Sequence, residues 1–264
     1  MQKTYLYALV LLLFVISCSP KKDSPVDPPT DPVKKCHLVK MIQGTHNGAV
    51  SDTTFNFYYD ASGKLNMVTG AYAGFSADTS LITYNDLGKL AKVIPPGFIH
   101  GTTFTYTSNG LLSEINYRIF DYMKMRFVYN GSSTLPEKAV VLTLTGADGA
   151  PKDSSEYRYI AQNGNIVSKE IFNSKGVSLA KSTFEYDTIP NLNPDLTLIS
   201  LFDQALGFYD EVFYFNKKLV KGKASTYDTY TVNYKLDSGK LAQSFLYYDQ
   251  PTPYATRNYF WECN

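Results

Sequence analysis

Along most of this chain apolar and polar residues alternate in short runs, each closed by a polar turn that contains glycine. The clearest unit is YYDASGKL, Tyr58 to Leu65: Phe55, Phe57 and Tyr59 occupy alternate positions, Asp60 ends the run, and Leu65 resumes it after Gly63. Asp accepts hydrogen bonds from its own backbone two residues on, and Gly takes the positive φ that closes a short hairpin loop. Looser copies follow as YNDLGKL from Tyr84, YTSNGLL from Tyr106, YIAQNGNI from Tyr159 and YKLDSGKL from Tyr234, the last two with one extra turn residue. Each reads as strand, turn, strand.

The aligned tyrosines fall at Tyr59, Tyr84, Tyr106, Tyr129, Tyr159, Tyr186, Tyr214 and Tyr234, a degenerate repeat of about one hairpin pair. Strand-like runs end at or near them: Thr54 to Tyr59, Leu81 to Tyr84, Thr102 to Tyr106, Lys124 to Tyr129, Glu137 to Thr145, Glu156 to Tyr159, Thr183 to Tyr186, Val212 to Phe215, Tyr230 to Tyr234 and Ser244 to Tyr248. With their returns they predict an all-β, antiparallel up-and-down meander of about 16 strands, curling into a barrel or roll within a single domain over 36–264. Returns such as Leu111 to Arg118 and Ile166 to Phe172 mix charge with apolar residues at period two, so one face of the sheet should be wet.

The rhythm breaks once. Asn193-Pro194-Asp195 opens LTLISLFDQALG, with Asn193 as N-cap, Pro194 at the first helical position, Leu196, Ile199, Phe202 and Leu206 at helical spacing and Gly207 as stop. A short helix near 194–206 is expected, either covering an edge or plugging one end. Alternatively Phe202, Phe208 and Tyr209 line a ligand pocket, since an irregular element on a repetitive scaffold is where function tends to sit.

The start of the chain has a basic residue, Lys3, an apolar stretch from Leu6 to Ile16, and Val15-Ile16-Ser17-Cys18. This reads as a signal peptide, residues 1–17, ending in a lipobox; a transmembrane anchor needs a longer apolar span. The tetrapeptide resembles the bacterial lipoprotein consensus, which implies lipid attachment at Cys18 through diacylglyceryl and palmitate chains, and a membrane partner reached through that anchor. Ser19 to Lys35 carries five prolines and almost no apolar bulk, so 18–35 should be an extended tether. Serine after the lipidated cysteine implies the outer membrane, with its periplasmic face and the cell surface both open.

YYDASGKL also resembles the YD repeats of RHS-type proteins, Tyr-Asp, two residues, Gly-Arg-Leu, with lysine in place of arginine; later copies lose Asp or change loop length. With the lipobox and tether, the chain is similar to lipoproteins of unknown function from Gram-negative gut and environmental bacteria described as having a porin-like antiparallel barrel. The resemblance implies a fold and no activity. A membrane-spanning barrel needs lipid-facing strands of about 9 to 11 residues, whereas several runs here are shorter or carry Lys124, Arg126, Lys138 and Arg158. A domain outside the bilayer is expected.

Removing residues 1–17 leaves 24 basic and 24 acidic residues, a balance unsuited to nucleic acid. Beyond Cys18 the cysteines are Cys36 and Cys263; an exported chain allows them to pair, and metal ligation finds only His37 and Glu262 beside them. The histidines His37, His46 and His100 have no partner at metal-ligand spacing, no cofactor motif is present, and nucleophile signatures are missing. Glu114, Glu156, Glu170 and Glu185 could pair across strands as glycosidase acids, or stand as solvated strand charges. Two classes of function follow. One is a noncatalytic binding or scaffold module that presents its 22 tyrosines and 16 phenylalanines to a glycan, peptide or envelope protein; the other is a polysaccharide-acting hydrolase.

Overall fold

The computed structural model describes residues 36–45, 53–71, 78–95, 101–118, 122–146, 149–191 and 211–263. Its strands are β1 (Cys36–Thr45), β2 (Thr53–Tyr59), β3 (Leu65–Ala71), β4 (Asp78–Tyr84), β5 (Leu90–Ile94), β6 (Thr102–Tyr106), β7 (Leu112–Arg118), β8 (Tyr122–Tyr129), β9 (Pro136–Leu144), β10 (Pro151–Gln162), β11 (Asn165–Asn173), β12 (Ser178–Pro190), β13 (Lys218–Ser225), β14 (Thr229–Asp237), β15 (Lys240–Tyr248) and β16 (Ala255–Cys263). Each pairs with its neighbours in sequence, and β16 neighbours β1, so the expected meander is a closed barrel. A disulfide joins Cys36 to Cys263, the first residue of β1 and the last of β16.

The repeat turns form as their residues dictate. Asp60 Oδ1 accepts the N–H of Ser62 at 2.8 Å and of Lys64 at 3.0 Å, and Asn85 Oδ1 accepts those of Leu87 at 3.1 Å and Lys89 at 3.0 Å. Gly63 and Gly88 sit at φ +79° and +72°, where a Cβ is strained. The two copies that look one residue longer are in fact tighter: Asn163-Gly164 and Ser238-Gly239 are two-residue loops with positive φ at both positions, the geometry that matches the twist of paired strands. Asn173 builds a turn of the same kind without a tyrosine, its Oδ1 accepting the N–H of Lys175 and Val177. Since strands alternate in direction, this turn lies at the opposite end of the barrel from the tyrosine turns.

Every strand that enters a tyrosine turn is opposed by a return strand with one extra residue. Tyr59 faces Leu65 while Tyr58 faces Met67, leaving Asn66 unmatched; Ala91, Ser113, Glu137, Val167, Lys221 and Ala242 hold the same place in later copies. A bulge of this kind shifts which residues face inward. Leu65 and Val68, Leu90 and Val93, Leu112 and Ile115 are therefore all buried although three residues apart. The expected strict period of two in the return strands is corrected by this offset.

Several tyrosine hydroxyls reach carbonyls near these bulges. Tyr106 Oη donates to the Leu90 carbonyl at 2.9 Å and Tyr129 Oη to the Leu112 carbonyl at 2.7 Å; Tyr59 reaches Leu38, Tyr186 reaches Ile166 and Tyr234 reaches Val220 in the same way. These repeats thus hydrogen-bond to the strand that precedes their own hairpin, and Trp261 ends the series by donating Nε1–H to Leu241. The motif lysines tighten the stack, Lys64 lying over the Tyr84 ring and Lys89 over that of Tyr106, at 5.3 and 5.4 Å.

Val212–Phe215, expected as a strand holding a repeat tyrosine, is a four-residue helix, α1. Four apolar residues satisfy either period, and anchoring decides. Asn191 Nδ2 donates to the carbonyls of Phe213 and Asn216, while Asn216 Oδ1 accepts the Ile166 N–H at 2.7 Å. Phe213 and Phe215 then pack edge-on against Phe184 and Phe127, at 6.2 and 4.9 Å. The helix expected near 194–206 lies outside the described residues.

Inward positions are dry: Leu90, Val93, Ala139, Ile166 and Val212 are 0% exposed. Outward positions carry charge, with Arg126 bonded to Glu114 at 2.8 Å and its side chain 56% exposed. Membrane barrels place apolar residues outward and water inside, and an arginine on the lipid face at the bilayer midplane costs about 2–4 kcal/mol. The described wall carries such charges beside exposed apolar residues, Leu81, Val128 and Ile160 among them.

Candidate functional site

The long strands β9 to β12 carry a groove of about 550 Å³ on the outer wall, within the usual range for small-ligand sites. It sits between two bulges, at Glu137 and at Val167, which bend the strands there. Strand register sets its contents. Lys138, Arg158, Glu170 and Lys181 form one cross-strand row, while Glu156 and Phe172 face each other in the next.

Glu156 organises the groove. One of its oxygens takes Nε–H of Arg158 at 2.6 Å and the other takes Lys138 Nζ at 2.9 Å. The Arg158 guanidinium also lies 4.1 Å above the Phe172 ring, so its plane is fixed on two sides. These hydrogen bonds, led by that from Arg158, hold the Glu156 carboxyl below the usual carboxylate range. Glu170 turns to Ser178, whose hydroxyl donates to it at 2.7 Å.

This arrangement bears on the hydrolase reading. Of the four carboxylates singled out in the sequence, Glu156 and Glu170 share the groove, Glu114 is held by Lys124 and Arg126 on β7 and β8, and Glu185 stands exposed on β12. A glycosidase acid needs a raised pKa. Asp60, through Ser62, Glu156, through Arg158, and Asp228, where Ser225 and Lys223 outweigh the upward push of burial, shift downward instead.

A second polar cluster lies inside. Lys169 Nζ is 3.4 Å from both oxygens of Glu211, each side chain only 8% exposed. Tyr159 Oη donates to Glu211 Oε1 at 2.9 Å, and Lys169 lies 5.4 Å from the Tyr157 ring centroid. Tyr159 is the repeat tyrosine whose hydroxyl bonds this side chain, and it pins the residue preceding α1. Glu211 was not legible as an ion-pair partner, because its lysine is 42 residues away.

Cys18, Phe202, Phe208 and Tyr209 lie outside the described residues, as do His46 and His100. Among the described residues no group of three or more His, Cys, Asp or Glu could hold a metal, and His37 instead packs 4.6 Å from the Tyr59 ring. The expected aromatic display is smaller than composition suggests. Most repeat tyrosines are partly buried against the core, and the exposed rings are Tyr58, Tyr227, Tyr248, Tyr254 and Phe260.

No protein-family model matches this chain, and neither does any curated protein. Among solved structures it is similar to a porin-like protein from Bacteroides uniformis ATCC 8492, at 15% identity and a TM-score of 0.52, with 85% of this chain and 98% of that one covered. A porin-like protein from Bacteroides vulgatus ATCC 8482 gives 12% identity and the same TM-score of 0.52, over 84% of this chain and 97% of that one. At such identities the likeness concerns the fold.

Proposed function

We propose that the chain is a lipid-anchored module of the cell envelope whose barrel binds a partner on its outer wall and neither conducts nor catalyses. The observation that carries this reading is the polarity of the barrel: the buried positions are mostly apolar and aromatic, with polar groups such as the Lys169–Glu211 pair among them, while ion-paired charges and a groove of ligand size occupy the wall. Sixteen-stranded porins leave an aqueous channel; the fully buried side chains of this barrel favour a filled interior. The lipobox at Val15 to Cys18 and the proline-rich tether supply the anchor, and outer-membrane placement follows from the resemblance of that segment to bacterial lipoproteins. A glycan or an envelope protein is the class of partner such a wall suits.

The test is liposome swelling together with membrane partitioning of the full chain. Vesicles loaded with the protein are expected to remain closed to small sugars, and Cys18→Ala is expected to move it from the membrane to the soluble envelope fraction. Reproducible sugar-permeable channels would overturn the nonconducting reading, and release of reducing ends from a polysaccharide panel would overturn the noncatalytic one.

A further inference from the structure

We infer that the groove over β9 to β12 binds a carboxylated saccharide, with the terminal amino groups of Arg158 and the Lys181 ammonium receiving the carboxylate and Phe172 carrying the sugar ring. This deepens the binding reading above and rests on it.

Arg158 spends only Nε–H on Glu156; among the described residues its two terminal amino groups bond to nothing, and neither does the Lys181 ammonium. Lys138, by contrast, is committed to the second oxygen of Glu156. Glu156 therefore holds one cation aside and orients the other. A guanidinium fixed by a carboxylate on one edge and an aromatic ring beneath presents its remaining fork already aligned, and such a fork matches a carboxylate in two parallel hydrogen bonds. Lys181 adds a mobile point charge in the same row.

The rest of the groove decides between sources of a carboxylate. A bound peptide gains most from pairing its backbone with a sheet edge, and a closed barrel has no edge. Glu170, which stands between Arg158 and Lys181 in the row and takes one hydrogen bond from Ser178, and Glu137 at the bulge supply acceptors, which suit hydroxyl donors spread around a ring. Phe172 and Ile160 give the apolar surface on which the C–H face of a sugar rests.

The test is titration calorimetry of the full chain with an oligogalacturonide, its methyl ester, a neutral galactose oligosaccharide and an acidic peptide of equal charge. The oligogalacturonide is expected to bind, and the ester to bind about tenfold or more weakly, as loss of charge-assisted hydrogen bonds implies. Arg158→Lys, which keeps the charge and loses the fork, is expected to weaken binding by a similar factor, while Arg126→Lys, one hairpin away, leaves it unchanged. Equal affinity for acid and ester, or indifference to Arg158→Lys in a chain with unaltered circular dichroism, overturns the inference. Tighter binding of the peptide, or binding of the neutral sugar alone, also overturns it while leaving the binding reading standing; no binding of any probe removes the site. Failure of that broader reading is read separately, from channels or cleavage.

Discussion

Replacing both Cys36 and Cys263 by serine isolates what the covalent seam contributes. The bond joins residues 227 apart, and for a loop of that length the chain-entropy model destabilises the unfolded ensemble by about 5 kcal/mol. Little of this is native contact, because β1 and β16 remain neighbours in the sheet without the sulfurs. Residual structure in the unfolded chain lowers the figure, so the expected loss is about 3–5 kcal/mol, a large part of the roughly 5–15 kcal/mol that holds a domain together. The midpoint of thermal unfolding should fall on the order of 10 °C. Urea titration followed by far-ultraviolet circular dichroism and by the fluorescence of Trp261, the single tryptophan, measures the loss. If the effect lies in the unfolded state, the slope against urea should rise in the serine variant, because the freed chain exposes more surface. Refolding should slow more than unfolding accelerates. An unchanged midpoint refutes the reasoning, and so does a loss carried wholly by faster unfolding at constant slope, which would place the effect in the native seam.

Tyr129→Phe removes the hydroxyl that satisfies the Leu112 carbonyl and is expected to cost about 1–1.5 kcal/mol in the same titration; Tyr58→Phe, on an exposed ring, should cost nothing. Burial pushes Tyr59 up to about 12. The folded state thus favours its neutral form, and stability present below about pH 10 is lost as pH rises through 12, a loss absent in Tyr59→Phe. Glu211→Gln leaves the Lys169 ammonium buried without its counter-charge and should cost about 3–5 kcal/mol by thermal melting, whereas Lys169→Met with Glu211→Leu should recover much of that.

The turns were legible because their chemistry is local: Asp60 and Gly63 do within five residues what they do in the fold. Strand number and order followed, since successive hairpins leave few other ways to pair. The inward offset of Leu65 and Val68 was not legible, as it depends on a bulge in the pairing of β3 with β2. Val212 to Phe215 misled for a related reason, its conformation being decided by Asn191 and Asn216 at a distance. In the groove, Glu156 and Glu170 stood out as carboxylates, but Arg158 and Phe172, 14 residues apart, declare themselves only once β10 and β11 are aligned. The disulfide was foreseeable from the placement of two cysteines at either end of the strand repeat.

The hydroxyl-to-carbonyl links also bear on how such a barrel could change its girth. Each linked repeat donates backward, so the series has a head, Leu38, which accepts without a motif tyrosine of its own, and a tail, Trp261, which donates in tyrosine's place. An additional copy inserted between two linked repeats, such as those of Tyr106 and Tyr129, would find a donor and an acceptor waiting and would widen the circumference by two strand spacings, roughly 9 to 10 Å. Only the head and tail are irreplaceable, and they lie on the two strands that the disulfide joins. Barrels of this kind can therefore vary in width by gain or loss of whole hairpins while their point of closure stays the same.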